Sequence, residues 1–247
     1  MAMTSNATPQ FNFKGRRSPL TLTIVILVVL SGVLLSLSGF YADWLWFKSV
    51  DFTSVWTTVL TTKIFLFVVA GLLTSSIILL NIIIAYKRRP LYVPLSIEAD
   101  NLERYRAQIE PIKRWVVLAL AVGLFYFAGT SGSAMWESWL LFKNSTSFGV
   151  KDAQFNMDIS FFAFKLPFYQ TLIAWAISTL ILSIIAAAVV HYLYGGIRLQ
   201  VQEDRTTVAA RVQLSVLLGG VVLMKAVAYW FDRYQLALKE SKLITGL

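Results

Sequence analysis

Two lysines interrupt apolar segments, and these are the residues of the sequence whose types and positions most suggest chemistry. Lys63 lies six residues inside one apolar segment, and Lys225 lies well inside another, "LLGGVVLMKAVAYWF". Asp232 follows Lys225 by seven residues, so both can project from one helical face, two turns apart, and Arg233 comes next. Because an ionised side chain deep in a bilayer is costly, such residues indicate a functional path or a buried pair. We therefore treat Lys63, Lys225, Asp232 and Arg233 as a candidate intramembrane polar site.

Each of these cations also has a simpler interpretation. Lys63 is close to the end of its segment, so its aliphatic stem can carry the ammonium out to the headgroups. Lys225 can form a structural ion pair with a neighbouring helix. A transporter or channel subunit with a polar path through Lys63, Lys225 and Asp232 is therefore an alternative hypothesis.

Acidic and aromatic residues in the polar connections form a second candidate group. Asp43, Trp44 and Trp46 belong to one connection and Asp158 to another, and we treat the four as a candidate outer-loop site. Two carboxylates can act as general acid and base or hold Ca²⁺, but the spacing does not specify either role. His191 is the only histidine, and we expect an interfacial side chain with local hydrogen bonds.

Known catalytic patterns do not occur in the sequence. It has no H-E-x-x-H, no G-x-S-x-G and no G-x-x-x-x-G-K-[ST], and it contains no cysteine. A thiolate nucleophile, a disulfide and a Cys-ligated metal are therefore excluded. We predict no catalytic residues, no cofactor and no metal, and a function that is not enzymatic.

The elements that must hold these residues are membrane-spanning helices. The chain is 57% hydrophobic and 14% charged, whereas a soluble domain is nearer half apolar and a quarter charged. Its net charge of +9 suits lysines and arginines beside membrane spans better than a nucleic-acid partner. We predict an all-α polytopic transmembrane bundle whose partners include membrane lipids. Five segments are long and apolar enough to span, at about residues 20–40, 57–85, 115–130, 168–192 and 212–231.

The distribution of basic residues predicts the orientation. Thirteen lysines and arginines fall on one side of the predicted spans and seven on the other, which places the N-terminus inside and the C-terminus outside. Residues 1–18 are then a cytoplasmic tail, residues 19–234 the bundle, and residues 235–247 an extracytoplasmic tail or truncated linker.

Local signals predict several details of the connections. The outer segment "YADWLWFKSVDFTSVW" is expected to be a short aromatic loop. Residues 96–114 are expected to form a polar helix, which either lies along the inner surface or is solvated. "SFGVKDAQFNMDISFFAFKLPFYQ" can be a half-buried strand or an interfacial segment, with Pro167 opening the next helix. Glycines 195 and 196 should end that helix. Two pairs of small residues have the spacing of close helix packing, Gly32 with Ser36 and Gly71 with Ser75.

Several long motifs resemble the uncharacterised protein family 0182, large multi-pass membrane proteins mainly of actinobacteria. They run from "DWLWFKSVDFTSVWTTVL" through "FGVKDAQFNMDISFFAFKLPFY" to "RVQLSVLLGGVVLMKAVAYWFDRYQL" and the closing "TGL". The resemblance covers about Leu20 to Leu247. Two positions depart from it, Ala153 in place of a common proline and Lys87 in place of arginine, and neither puts membership in doubt.

The resemblance implies a bacterial plasma-membrane location and a longer protein, with about seven spans and a large extracytoplasmic domain. This chain would then be the N-terminal part. The family implies no settled activity, so no residue roles carry over. Our leading hypothesis is an anchor or assembly platform for an extracytoplasmic domain, an envelope protein or a second copy of the chain. A weaker alternative is lipid handling at the outer leaflet by "FNMDISFFAFKLPF".

Overall fold

Long apolar helices dominate the computed structural model, which describes residues 19–90, 104–198 and 205–236. These residues contain no β-strand, and two isolated antiparallel bridges, Lys151 with Asp158 and Ile197 with Thr206, lie outside the helices. A 3₁₀ turn, Glu110–Ile112, and a π-helical turn, Phe161–Lys165, each lead into a helix. The helices are α1 (Pro19–Ser49), α2 (Thr53–Lys87), α3 (Lys113–Ser133), α4 (Trp136–Lys143), α5 (Leu166–Leu193) and α6 (Val208–Leu236).

Five helical segments are long and apolar enough to cross a membrane, which confirms the predicted all-α class and the number of candidate spans. Their orientation stays a prediction, as do the roles assigned to the two tails. Residues 1–18, 91–103, 199–204 and 237–247 lie outside the described residues, and with them the first part of the predicted polar helix at 96–114. Residues 104–109 of that segment are helical and lead through the 3₁₀ turn into α3. The segments are Ile26–Ser49, Thr53–Lys87, Arg104–Ser133, Phe161–Leu193 and Val208–Leu236.

The first predicted outer loop is mostly helical instead. Only residues 50–52 separate α1 from α2, and Asp51 has a positive φ of 64° in that turn. Residues 41–56 contain no proline or glycine, so nothing in the segment interrupts backbone hydrogen bonding except the turn itself. An aromatic-rich segment at the membrane edge can stay helical beyond its apolar core, and for this reason hydropathy places the helix end too early.

The chain divides into two compact units, residues 1–58 and 59–247, with the boundary inside α2. In the second unit, α2 and α3 cross at glycines. A Cβ atom added at Gly71 would lie 2.8 Å from the carbonyl oxygen of Phe125, and one at Gly132 would lie 2.2 Å from Cβ of Ala70. The predicted packing role of Gly71 and Ser75, both buried, is confirmed. The packing role of the pair Gly32 and Ser36 stays a prediction.

Small buried residues also bring α2, α5 and α6 together. Ala85, Ala187 and Leu217 form one buried apolar cluster, with Ser183 fully buried on α5. Helix α5 ends at Leu193, and Gly195 follows with a φ of 75° that non-glycine residues rarely adopt, as predicted. This close packing fixes the distance between the polar side chains described below.

Candidate functional site

One carboxylate organises the long connection between α4 and α5. We call residues 147–160 the Asp158 loop. The Asp158 carboxylate accepts hydrogen bonds from the hydroxyl of Ser147 and from the backbone N–H groups of Phe148 (3.1 Å), Gly149 (3.0 Å) and Ser160 (2.8 Å). These four hydrogen bonds tie both ends of the loop to one carboxylate. The shape of the loop therefore depends on the ionised form of a single side chain.

The same hydrogen bonds determine the protonation of Asp158. The hydroxyl of Ser147, followed by groups of Ser160, holds the pKa of this carboxyl far below its ordinary value. Since only the ionised form accepts from all four donors, Asp158 is a fixed negative charge at neutral pH. A group of this kind holds structure and is poorly suited to exchanging protons during a reaction.

A second aspartate shapes the tip of the loop. Asp152 accepts from the backbone N–H groups of Gln154 (3.0 Å) and Phe155 (2.8 Å), and Asn156 adopts a φ of 52° to complete the turn. The loop is therefore not the half-buried strand that the sequence suggested, and its place at the membrane interface stays a prediction. It is a short hairpin with one bridge, and Pro167 lies in the first turn of α5 as predicted.

Aromatic rings attach this hairpin to the last turn of α6. The ring of Tyr234, which is buried, lies 4.9 Å from that of Phe155, 5.3 Å from Phe161 and 6.2 Å from Phe162, measured between centroids. Edge-on packing of this kind stabilises aromatic clusters beyond the area that they bury. We call Phe155, Phe161, Phe162 and Tyr234 the ring cluster.

Arg233 extends the ring cluster with a cation. Its guanidinium carbon lies 3.7 Å from the ring centroid of Trp230 and 4.5 Å from that of Tyr234, and it donates a hydrogen bond to the Tyr234 hydroxyl. Its Nε is buried without a hydrogen-bond partner among the described residues. Asp232 is exposed and lines an open depression with Tyr229. Arg233 therefore packs on aromatic rings and lines the same depression as Asp232.

The two intramembrane lysines are both exposed in the described part of the chain, each near an aromatic ring. Lys63 Nζ lies 5.2 Å from the ring centroid of Trp136, and Lys225 Nζ lies 5.6 Å from that of Tyr229, one turn further along α6. Among the described contacts, no ion pair or hydrogen bond joins Lys63, Lys225 and Asp232. The polar path through these residues stays a prediction.

The other members of the candidate outer-loop site belong to the first unit. Near the end of α1, the ring of Trp44 stacks on Tyr41 at 5.8 Å and carries Lys48 Nζ at 4.9 Å, while Trp46 packs on Phe47. Asp43 is exposed. In the ranges that the structure describes, no three acidic or histidine side chains lie close enough together to hold a metal ion.

A buried polar chain joins three helices, and sequence reasoning missed it. His191 is 1% exposed, and its Nε2 lies 3.0 Å from Oε1 of Gln213. The Gln213 amide nitrogen donates to the Asn81 carbonyl oxygen at 2.9 Å, so its oxygen faces His191 and must receive the hydrogen of Nε2. The expected local hydrogen bonding of His191 is therefore wrong, because its partner lies 22 residues away on another helix. The sequence did contain a signal for this polar chain, because Gln213 and Asn81 are polar residues inside predicted spans.

Comparison with known proteins gives a family. The model of the uncharacterised protein family UPF0182 matches residues 20–247. A UPF0182 protein of Streptomyces coelicolor is 47% identical over 90% of this chain and 22% of its own length. One of Nocardioides sp. is 44% identical over 94% of the chain and 23% of its own length, and one of Thermobifida fusca is 42% identical over 90% and 22%.

The chain therefore spans less than a quarter of the length of these relatives. No solved structure matches it. The family match covers more than nine-tenths of the residues, including α1 to α6, the Asp158 loop and the ring cluster. The chain belongs to the uncharacterised protein family UPF0182.

Proposed function

We propose that this chain is a scaffold in the bacterial plasma membrane whose Asp158 loop holds an extracytoplasmic domain or partner protein. The observation that carries the proposal is a rigid loop with an apolar outer surface. Asp158 closes the loop and the ring cluster fixes it to α6, while Phe148, Val150 and Ile159 stay exposed, Phe148 to 50%. Exposed apolar side chains on a rigid frame are typical of protein docking surfaces.

The fixed charge of Asp158 supports a holding role over a catalytic one. The carboxylate is occupied by four internal donors, so it offers little capacity to a substrate. The relatives are more than four times as long as the segment they share with this chain, which leaves room for the domain that such a scaffold would hold.

The test is site-specific photocrosslinking in intact bacteria that express the chain. A photoreactive phenylalanine analogue replaces Phe148. In the matched control, the same analogue replaces Phe127 of α3, which is 73% exposed. We expect protein adducts at position 148 that contain extracytoplasmic sequence, and lipid adducts at position 127. Asp158→Asn should reduce the yield of protein adducts at position 148, because the loop loses hydrogen bonds that hold its shape.

Two outcomes contradict the scaffold. Lipid adducts alone at position 148 favour lipid handling at the outer leaflet, and identical protein adducts at both positions indicate nonspecific capture. Transport through Lys63, Lys225 and Asp232 is tested separately. If Lys225→Met leaves the flux of every substrate that the wild-type chain carries unchanged, that alternative loses its support.

A further inference from the structure

Cationic side chains gather at the end of α5 that lies away from the Asp158 loop. Arg89 follows α2, Arg106 precedes α3 by two helical turns, and Lys113 is its first residue. All three surround the tyrosines Tyr86 and Tyr194. We call these five residues the basic end.

Two of the cations share one aromatic ring. The guanidinium carbons of Arg89 and Arg106 lie 5.3 Å and 5.6 Å from the centroid of Tyr194, and that of Arg89 lies 4.3 Å from the centroid of Tyr86. Burial raises the pKa of Tyr194, so its phenol stays neutral. The Tyr194 ring attracts both cations, but this attraction does not neutralise their positive charges.

Glu110 is the described acidic residue at the basic end, and its carboxylate already has partners. Glu110 pairs with Lys113, Oε1 to Nζ at 2.5 Å, and accepts a hydrogen bond from the Tyr86 hydroxyl at 3.3 Å. The side chains of Lys113 and Glu110 are 44% and 43% exposed, so the site is open to solvent or headgroups. Among the described residues, the carboxylate of Glu110 therefore balances Lys113 and leaves the charge of the two arginines in excess.

Arg106 is held in place with part of its donor capacity unused. Its Nε donates to the carbonyl oxygen of Leu193, at the C-terminus of α5 where a cation is favourable. Its Nη2 is buried and has no hydrogen-bond partner in the described residues. A buried donor without a partner costs free energy, and an oxyanion beside it removes that cost and the excess charge together.

We propose that the basic end binds a phosphate group, carried by an anionic phospholipid headgroup or present as free phosphate. The guanidinium groups of Arg89 and Arg106 both lie beside the Tyr194 ring, and together they supply positive charge and N–H donors for a phosphate group. A planar guanidinium can donate two parallel hydrogen bonds to a phosphate group, so arginine suits phosphate better than it suits an acceptor with a single oxygen. The site lies at the ends of candidate spans, where basic pockets between helices meet lipid headgroups.

The proposal is tested on the purified full chain in lipid nanodiscs of neutral phosphatidylcholine. In one arm, phosphatidylglycerol is added and bound lipid is counted by native mass spectrometry. In the other, inorganic phosphate is titrated by calorimetry. We expect Arg89→Gln and Arg106→Gln each to weaken phosphate-group binding by about tenfold or more, because each removes charge-assisted hydrogen bonds.

Arg88→Gln is the matched control, since Arg88 is exposed and adjacent and none of the ring contacts of the basic end involves it. Its effect should stay within about twofold, as for a screened surface charge. Arg89→Gln leaves the contact of Arg106 with Leu193 intact, so it remains informative if Arg106→Gln misfolds. Binding in the lipid arm alone identifies a headgroup, and binding in the phosphate arm identifies a free anion. Equal losses in all three variants, or no binding in either arm, overturn the proposal.

Discussion

Asp158 accepts four hydrogen bonds from a segment that has little apolar core of its own. Replacing it with asparagine removes the charge and exchanges one acceptor oxygen for a donor, which faces the donors of Ser147 and Gly149. We expect Asp158→Asn to accelerate amide hydrogen exchange at Phe148 and Ser160 while exchange in α5 stays unchanged. Glu137→Gln, a change of the same type at an exposed position of α4, should alter neither. Unchanged exchange in the loop contradicts the role of Asp158.

The pKa of Asp158 predicts how the loop responds to acid. The folded pKa lies below the ordinary value of 3.8, so the contribution of this group is complete above that value and decreases as the pH falls below it. Exchange of the Phe148 amide, corrected for its intrinsic rate, should be constant from pH 7 to about pH 5 and should rise below about pH 4. In Asp158→Asn this rise should disappear. A rise near neutral pH would point to a different group.

Gln213 and Gln170 provide a matched pair of buried amides. Gln213 satisfies His191 and Asn81, whereas the Nε2 of Gln170 is buried without a partner among the described residues. Gln213→Leu leaves the His191 donor unpaired and should lower the free energy of unfolding by about 1–3 kcal/mol. Gln170→Leu should be neutral or stabilising. Unfolding in mixed detergent micelles measures both, and equal effects contradict the buried polar chain.

Among the helices, the crossing of α2 and α3 depends on the lack of side chains at its glycines. Gly132→Ala places Cβ against Ala70 and should destabilise the chain by about 1–3 kcal/mol. Gly123→Ala, in the same helix with no atom within 4 Å of the added Cβ, should stabilise it by about 0.5–1 kcal/mol. Thermal unfolding followed by tryptophan fluorescence distinguishes them. If both variants behave alike, the close crossing is absent.

The sequence predicts the helices well and their contacts poorly, for a physical reason. Apolar length is a local property, so the five candidate spans follow from composition, and the glycines that end α5 follow from local backbone preference. Gln213 reaches a partner 132 residues away, and Arg106 one 87 residues away. Hydropathy contains no information about such pairs. The aromatic segment at residues 41–56 is predicted to be a loop because its residue types are typical of a membrane interface, but residue type at an interface does not determine whether the backbone stays helical.

For the molecule as a whole, the orientation is the prediction with the widest consequences. The chain has no cysteine, so single cysteines can report which side of the membrane a position faces. Asn144→Cys, beside the Asp158 loop, should react with a membrane-impermeant maleimide in intact cells. Arg88→Cys, at the end of α2, should react only after the membrane is permeabilised. The reverse pattern would invert the bundle and place the phosphate site on the outer side.

The packing of Tyr234 against the hairpin has a mechanical consequence. Helix α6 brings the chain out of the bundle, and Tyr234 lies two residues before its end. A pull on the chain beyond α6 meets the edge-on rings of Phe155, Phe161 and Phe162 before it reaches the apolar turns of the helix. Tension is then shared between α6 and α5 through the π-helical turn. We therefore expect the contacts of Tyr234 to bear part of a pulling force on α6 before that helix unwinds.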